Sequence, residues 1–147
     1  MPDEVDSAHT SPVAIVGAGA LGSALARRLV MQGHPVQAIL NRSVDSAQVL
    51  AERVGASVGS DDFAALPSDV RLVLLCVADD AIASVAERLA AVDHPWAETI
   101  SGHTSGAHTA EILSPLAERG AATLSFHPLQ TFAPETPPEA FEDIFVG

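Results

Sequence analysis

A Gly-x-Gly-x-x-Gly pattern directly follows the first apolar run, Val13–Val16, and its members are Gly17, Gly19 and Gly22. After a strand, the first glycine of this pattern permits a tight turn, the second lets backbone approach a pyrophosphate, and the third lets helix and sheet pack closely. Ala20 and Leu21 would then begin a helix, where free N–H groups and the helix dipole favour an anion. The spacing predicts a dinucleotide-binding turn; the alternative is a turn that needs glycine only for its backbone geometry.

The second apolar run, residues 36–40, ends at Asn41-Arg42-Ser43. This is about 20 residues past the glycine turn, where an NAD-binding domain carries an acidic residue. Asn41 carries no charge, Arg42 would bind the 2′-phosphate of NADP, and Ser43 would add a hydroxyl and an N–H group. The alternative makes Arg42 a solvated surface residue and Ser43 a simple helix N-cap. We predict NADP as the cofactor, and the missing acid also argues against a methyltransferase, whose adenosyl ribose usually meets a carboxylate.

Two aspartates follow the most apolar segment, residues 70–77. Because ligands of open α/β sheets bind beyond the carboxyl ends of the strands, we expect Val77, Ala78 and Asp79 to contact the cofactor. One of Asp79 and Asp80 is expected to cap the next helix, and the other to face the ribose or a substrate.

Histidines stand at the ends of the next two predicted strands. Gly102–Ala107 brings His103, Thr104 and Ser105 together between glycines, and His127 precedes a proline. Histidine exchanges protons near neutral pH, as the carbon–oxygen or carbon–nitrogen group of a substrate must when a hydride is transferred. We therefore predict His103, Ser105 and His127 as catalytic or substrate-orienting residues. These histidines and the aspartates match no metal-binding motif, so no metal site is predicted.

Short apolar runs alternate with helical stretches along the chain. Such alternation predicts an α/β fold, a doubly wound and mostly parallel sheet of the Rossmann type. A lone cysteine, Cys76, is expected to be a small buried residue, and the four remaining histidines are expected at the surface: His9, His34, His94 and His108. The strands are predicted at residues 13–16, 36–40, 56–58, 70–77, 99–101, 121–126 and 141–146.

Length and charge limit the classes of function. The chain has 147 residues, enough for one domain, and a net charge of −12. It contains seven arginines and no lysine. So negative a surface argues against nucleic acid as a partner. The longest apolar stretch is about half a membrane span, so no membrane partner is expected. Residues 1–12 are acidic and polar, unlike a secretory signal, and are predicted to be a flexible tail of a cytoplasmic protein.

The motifs together resemble those of a group of bacterial proteins described as NADP oxidoreductases with no settled substrate. These proteins have a Rossmann-like NADP-binding N-terminal half, related to pyrroline-5-carboxylate reductase and prephenate dehydrogenase, and a helical second half of uncharacterised function. The resemblance covers residues 13–147. Its motifs are GAGALGSALARRL (17–29), LNRS (40–43), CVADDAI (76–82), HTSGA (103–107) and HPLQTF (127–132).

The resemblance implies that residues 13–147 form the cofactor domain of an oxidoreductase that transfers hydride between NADP(H) and a small carbonyl or imine. It assigns the glycines and Asn41-Arg42-Ser43 to the cofactor, and His103, Ser105 and His127 to the substrate. The family's helical half would lie beyond Gly147, so we expect cofactor binding with little or no turnover from this chain. Two copies could pair through the surface left bare. A non-catalytic module that senses NADP(H) or binds a partner is the alternative.

Overall fold

Six parallel strands form one sheet in the order β3-β2-β1-β4-β5-β6. The computed structural model describes residues 11–125, and every strand pairing in this range is parallel. The strand order reverses between β1 and β4, which opens a crevice at their carboxyl ends. The predicted doubly wound Rossmann fold is therefore confirmed. The strands are β1 (Val13–Val16), β2 (Val36–Leu40), β3 (Val58–Ser60), β4 (Leu72–Leu75), β5 (Ile100–His103) and β6 (Ala122–Ser125).

Four α-helices connect these strands, together with 3₁₀ turns at Phe63–Ala65, Asp79–Ala81, Trp96–Glu98 and Ala110–Leu113. In the second α-helix, Ser43 accepts a hydrogen bond from the Ser46 N–H at the start, and Gly55, with φ 77°, ends the helix. A left-handed C-cap of this kind favours glycine. The helices are α1 (Ala20–Met31), α2 (Val44–Val54), α3 (Ile82–Ala90) and α4 (Ser114–Ala117).

Apolar side chains pack on both faces of the sheet. In β1, Val13 and Ile15 pack with α1 and α2, while Ala14 and Val16 pack with α3 and α4. A strand covered on both faces needs apolar residues at every position, and this is why β1 lacks the polar alternation of a half-exposed strand. The two layers fix the carboxyl end of β1, where the glycine turn begins.

Short elements differ from the sequence-based expectation at their ends. β3 lies two residues later than expected, β4 is shorter, and β5 continues through His103 because Leu75 of β4 pairs with it. Between β5 and β6, a 3₁₀ turn leads directly into α4, whose first turn contains Pro115. Proline lacks an N–H donor and is tolerated in the first turn of an α-helix. The predicted seventh strand and residues 1–10 of the predicted tail lie outside the described residues.

His94 is buried, and the expectation that it lies at the surface is wrong. Its Nε2 lies 3.1 Å from the Val70 carbonyl oxygen and 3.1 Å from Thr99 Oγ1. Thr99 donates its own hydrogen to the Pro95 carbonyl, so the ring donates from Nε2. Nδ1 is buried without a hydrogen-bond partner. Burial lowers the pKa of His94 below the ordinary value for a histidine, and the neutral ring joins the segment before β4 to the segment before β5.

Acid is expected to destabilise the protein through His94. In the unfolded chain this residue takes up a proton at about its ordinary pKa, whereas in the folded chain it does so at a lower pH. The contribution of His94 to the free energy of unfolding is therefore fully present above about pH 6.5 and decreases as the pH falls below that value. Urea unfolding at pH 7.5 and pH 5.5 measures the loss. His94→Gln should diminish the difference between the two pH values, while the control His108→Gln should retain it. An unchanged difference in His94→Gln would contradict this account.

Candidate functional site

The glycine turn joins β1 to α1 with almost no space for side chains. Gly17 has φ 110°, and a Cβ atom there would lie 2.4 Å from the Cys76 carbonyl oxygen. A Cβ atom on Gly22 would lie 2.1 Å from the Gly17 carbonyl oxygen. Both distances are far below van der Waals contact, so these two positions require glycine for the fold itself.

Gly19, in contrast, faces open space. It is the N-cap of α1, its φ is −78°, and a Cβ atom there would meet no atom within 4 Å. No side chain caps α1, and its first turn carries no acidic residue. Helix geometry leaves the N–H groups of such a first turn, which includes Ala20 and Leu21, without intrahelical acceptors. An anion is the partner that these donors and the helix dipole favour.

Asn41 holds the glycine turn against the end of β2. Its Oδ1 accepts a hydrogen bond of 3.2 Å from the Ala18 N–H, and its Nδ2 donates one of 3.2 Å to the Ser43 carbonyl. The predicted contact of Asn41 with a cofactor stays a prediction, and the geometry gives this residue a positioning role. Ser43 is the N-cap of α2, as the alternative interpretation expected.

Arg42 is exposed and forms one wall of a cleft of about 490 Å³. Among residues 11–125, its guanidinium has no hydrogen bond or ion pair. On a chain with a net charge of −12, an unpaired guanidinium is a local positive site. It lines the same cleft as Gly17 and Gly19 of the glycine turn. The cleft is lined by Val16–Gly19, Asn41, Arg42, Phe63, Cys76–Ala78, Asp80, Ala81, Ser84, Val85 and Arg88.

Two of these residues, Phe63 and Arg88, were not predicted. The Arg88 guanidinium carbon lies 4.2 Å from the centroid of the Phe63 ring. One residue belongs to the 3₁₀ turn after β3 and the other to the last turn of α3, so the contact depends on the tertiary fold. The local sequence does not predict this contact. Its one indication is the helical spacing of Arg88 from Ala81 and Ser84, which places the three residues on one face.

The carboxyl end of β4 forms the opposite wall. Val77, Ala78 and Asp80 line the cleft there, whereas Asp79 does not. The expectation that an aspartate caps the following helix is wrong, because the 3₁₀ turn begins after Ala78 with no side-chain hydrogen bond at either cap position. Cys76 is half-buried at the rim, and desolvation raises the pKa of its thiol to about 12 despite a hydrogen bond with Thr104. The thiol is therefore uncharged at neutral pH.

His103 is the last residue of β5 and is fully buried. Its Nε2 donates to the Thr109 carbonyl at 2.8 Å, and its Nδ1 accepts from the Ser105 N–H at 3.0 Å. Ser105 Oγ in turn accepts from the Ala107 N–H at 3.0 Å. These contacts give both residues a role in shaping the turn after β5, because both ring nitrogens are already engaged. Their predicted catalytic roles stay untested, and His127 lies outside the described residues.

Two negative findings hold for the described part of the chain. Residues 11–125 contain no group of three or more histidine, cysteine, aspartate or glutamate side chains that could hold a metal ion. In the same range, none of the helices combines the length and the hydropathy of a membrane span.

A family model described as the Rossmann-like domain matches residues 2–128. The chain belongs to the Rossmann-like domain family. This agrees with the strand order and with the glycine turn between β1 and α1. A search of curated proteins finds no match.

Several solved structures share the fold of this Rossmann-like domain. A Bacteroides fragilis protein assigned to the NADP oxidoreductases is 24% identical with a TM-score of 0.74, and the match covers 88% of this chain and 48% of that one. Prephenate dehydrogenase from A. aeolicus, in complex with hydroxyphenyl propionate and NAD+, is 16% identical with a TM-score of 0.70 over 90% and 48% of the two chains. The expected resemblance to prephenate dehydrogenase is confirmed at the level of the fold.

A third structure, the reductive aminase from Aspergillus terreus in complex with NADPH4, cyclohexanone and allyl amine, is 26% identical with a TM-score of 0.66. The match covers 83% of this chain and 43% of that one. The Rossmann-like domain thus spans less than half the length of each of these three structures. By their descriptions, these three structures include both NAD and NADP proteins.

Proposed function

We propose that this Rossmann-like domain binds NADP(H) in the cleft between the glycine turn and α3, as the cofactor domain of an oxidoreductase. The observation that carries the proposal is the unpaired Arg42 guanidinium on the cleft wall. The N-terminus of α1, without a capping side chain or an acid in its first turn, is suited to the pyrophosphate. The two sites lie on the same cleft, through Gly19 and Arg42.

The charge at the end of β2 favours NADP over NAD. An acidic residue there would accept hydrogen bonds from a ribose 2′-hydroxyl but would repel a 2′-phosphate. Arg42 reverses this preference, because a guanidinium binds a phosphate with charge-assisted and often bidentate hydrogen bonds. Asn41, next to it, adds no negative charge and keeps the glycine turn close to Arg42.

NADP(H) would supply the hydride, and the protein would position it against a small carbonyl or imine substrate. The substrate-side residues of this proposal are His103, Ser105 and His127. The buried His103 leaves no ring nitrogen free for proton exchange with a substrate. This observation favours a second candidate function, in which the chain binds NADP(H) as a sensor or interaction module without transferring hydride.

A competition experiment with the wild-type chain tests the proposal. Binding of NADPH would be followed by its nicotinamide fluorescence, with 2′,5′-ADP and 5′-ADP as competitors. We expect 2′,5′-ADP to displace NADPH at a concentration about tenfold lower than 5′-ADP, because charge-assisted hydrogen bonds to the 2′-phosphate are worth about 1.5–3 kcal/mol. Equal competition by the two nucleotides would remove the basis for NADP, and a chain that binds no NADPH would refute the proposal.

A further inference from the structure

Phe63 and Arg88 form a fixed pair on the wall of the cleft. The Phe63 ring is 7% exposed and packs with the apolar core between the sheet and α3. The Arg88 guanidinium lies over this ring, 4.2 Å from its centroid, and both residues line the cleft. The ring is held by its packing in the core, and its face gives the exposed Arg88 a contact on the cleft wall.

Arg88 has hydrogen-bond donors, and one face of its guanidinium, without a partner among the described residues. Within the described residues it forms no hydrogen bond or ion pair, and its contact with Phe63 occupies one face of the guanidinium. The cation–π attraction, about 0.5–1 kcal/mol at an exposed site, orients the group without engaging its donors. The face opposite Phe63 is therefore available to a second flat group.

In a dinucleotide bound as proposed, the adenine would lie near this pair. With the pyrophosphate at the glycine turn and the 2′-phosphate at Arg42, the adenine would extend from the same ribose toward the other wall of the cleft. The wall there consists of Phe63, Ala81, Val85 and Arg88. We propose that the face of the Arg88 guanidinium opposite Phe63 stacks on the adenine ring. This role rests on the proposed function, because it requires a dinucleotide in the cleft.

An adenine suits this wall better than a phosphate does. Ala81 and Val85 are apolar and offer a phosphate no hydrogen bond, whereas they can contact the edge and face of a base. Asp80 lines the same side of the cleft and would repel a phosphate. Guanidinium groups stack on planar rings, and adenine has such a face. Arg42 and Arg88 would therefore have different tasks, with Arg42 recognising the 2′-phosphate and Arg88 the base common to NADP and NAD.

Calorimetric titration of the full chain with NADPH and with NADH tests this division. We expect Arg88→Ala to weaken the binding of both dinucleotides by the same factor. This factor should be about fivefold to tenfold, at the lower end of the effects measured when a side chain that stacks on one base is replaced by alanine. Arg88→Lys should show a similar loss, because its ammonium keeps the charge but has no flat face. Both variants should fold, since the side chain is exposed.

Two control variants separate stacking from other causes. Arg71→Ala removes the same charge just before the amino end of β4, whereas the cleft lies at the carboxyl ends of the strands. Glu87→Ala changes the exposed neighbour of Arg88. Both variants should bind like the wild type. A loss confined to NADPH, recovery in Arg88→Lys, or no loss in Arg88→Ala would overturn the inference while the proposed function stands. A wild-type chain that binds neither dinucleotide would refute both.

Discussion

Gly22→Ala is expected to destabilise the domain by about 2 kcal/mol, even though alanine is normally the better helix former. In an open helical position the replacement would stabilise by about 1 kcal/mol. Here the new Cβ atom would lie 2.1 Å from the Gly17 carbonyl oxygen, and overpacking of this kind typically costs about 1–3 kcal/mol and occasionally more. The cost exceeds the gain because the obstacle is backbone, which cannot rotate away. Urea unfolding followed by circular dichroism measures the difference in free energy.

Gly19→Ala is the matched control, since it makes the same change two residues after Gly17 where no atom lies within 4 Å. We expect it to retain the stability of the wild type within about 1 kcal/mol, the usual cost of alanine at an N-cap. It should nevertheless weaken NADPH binding about tenfold or more, because a hydrogen bond to a charged group is worth about 1.5–3 kcal/mol and its Cβ would keep the pyrophosphate from the α1 N-terminus. A stable Gly22→Ala, or a Gly19→Ala that binds NADPH normally, would contradict these assignments.

The fold could be predicted because its strongest signals are local. Val13–Val16 is apolar at every position, the glycine pattern follows at once, and Ser43 and Gly55 mark both ends of α2. These features act through steric and hydrogen-bonding effects within a few residues. The short elements were predicted less well because tertiary pairing sets their ends. Pairing of Leu75 with His103, for example, extends β5 by two residues and turns an expected loop histidine into a buried strand residue.

The sequence predicted only those parts of the candidate site whose position depends on spacing along the chain. Arg42 could be placed because it lies two residues after the end of β2, at the sequence spacing from the glycine turn where a dinucleotide-binding domain usually carries its ribose-binding residue. The contact between Phe63 and Arg88 could not, since it depends on how α3 packs beside the turn after β3. The burial of His94 could not be predicted for the same reason. A lone histidine in a polar stretch is expected to be solvated, but Val70, Trp96 and Thr99, from the segments that precede β4 and β5, surround it.

Arg42→Ala is expected to weaken NADPH binding by about tenfold, or about 1.4 kcal/mol, and to leave NADH binding unchanged. The physical reason is the loss of charge-assisted hydrogen bonds to a phosphate that NADH lacks. The side chain is exposed and has no partner in the described residues, so its removal should not affect folding. The opposite pattern, an equal loss for both dinucleotides, is the one predicted for Arg88→Ala.

Calorimetric titration of NADPH and NADH against the wild type and Arg42→Ala tests the central claim most directly. The account predicts that the wild type prefers NADPH by about tenfold or more and that the variant loses this preference. Equal affinity of the wild type for the two dinucleotides, or a preference that persists in Arg42→Ala, would contradict the claim that Arg42 recognises the 2′-phosphate.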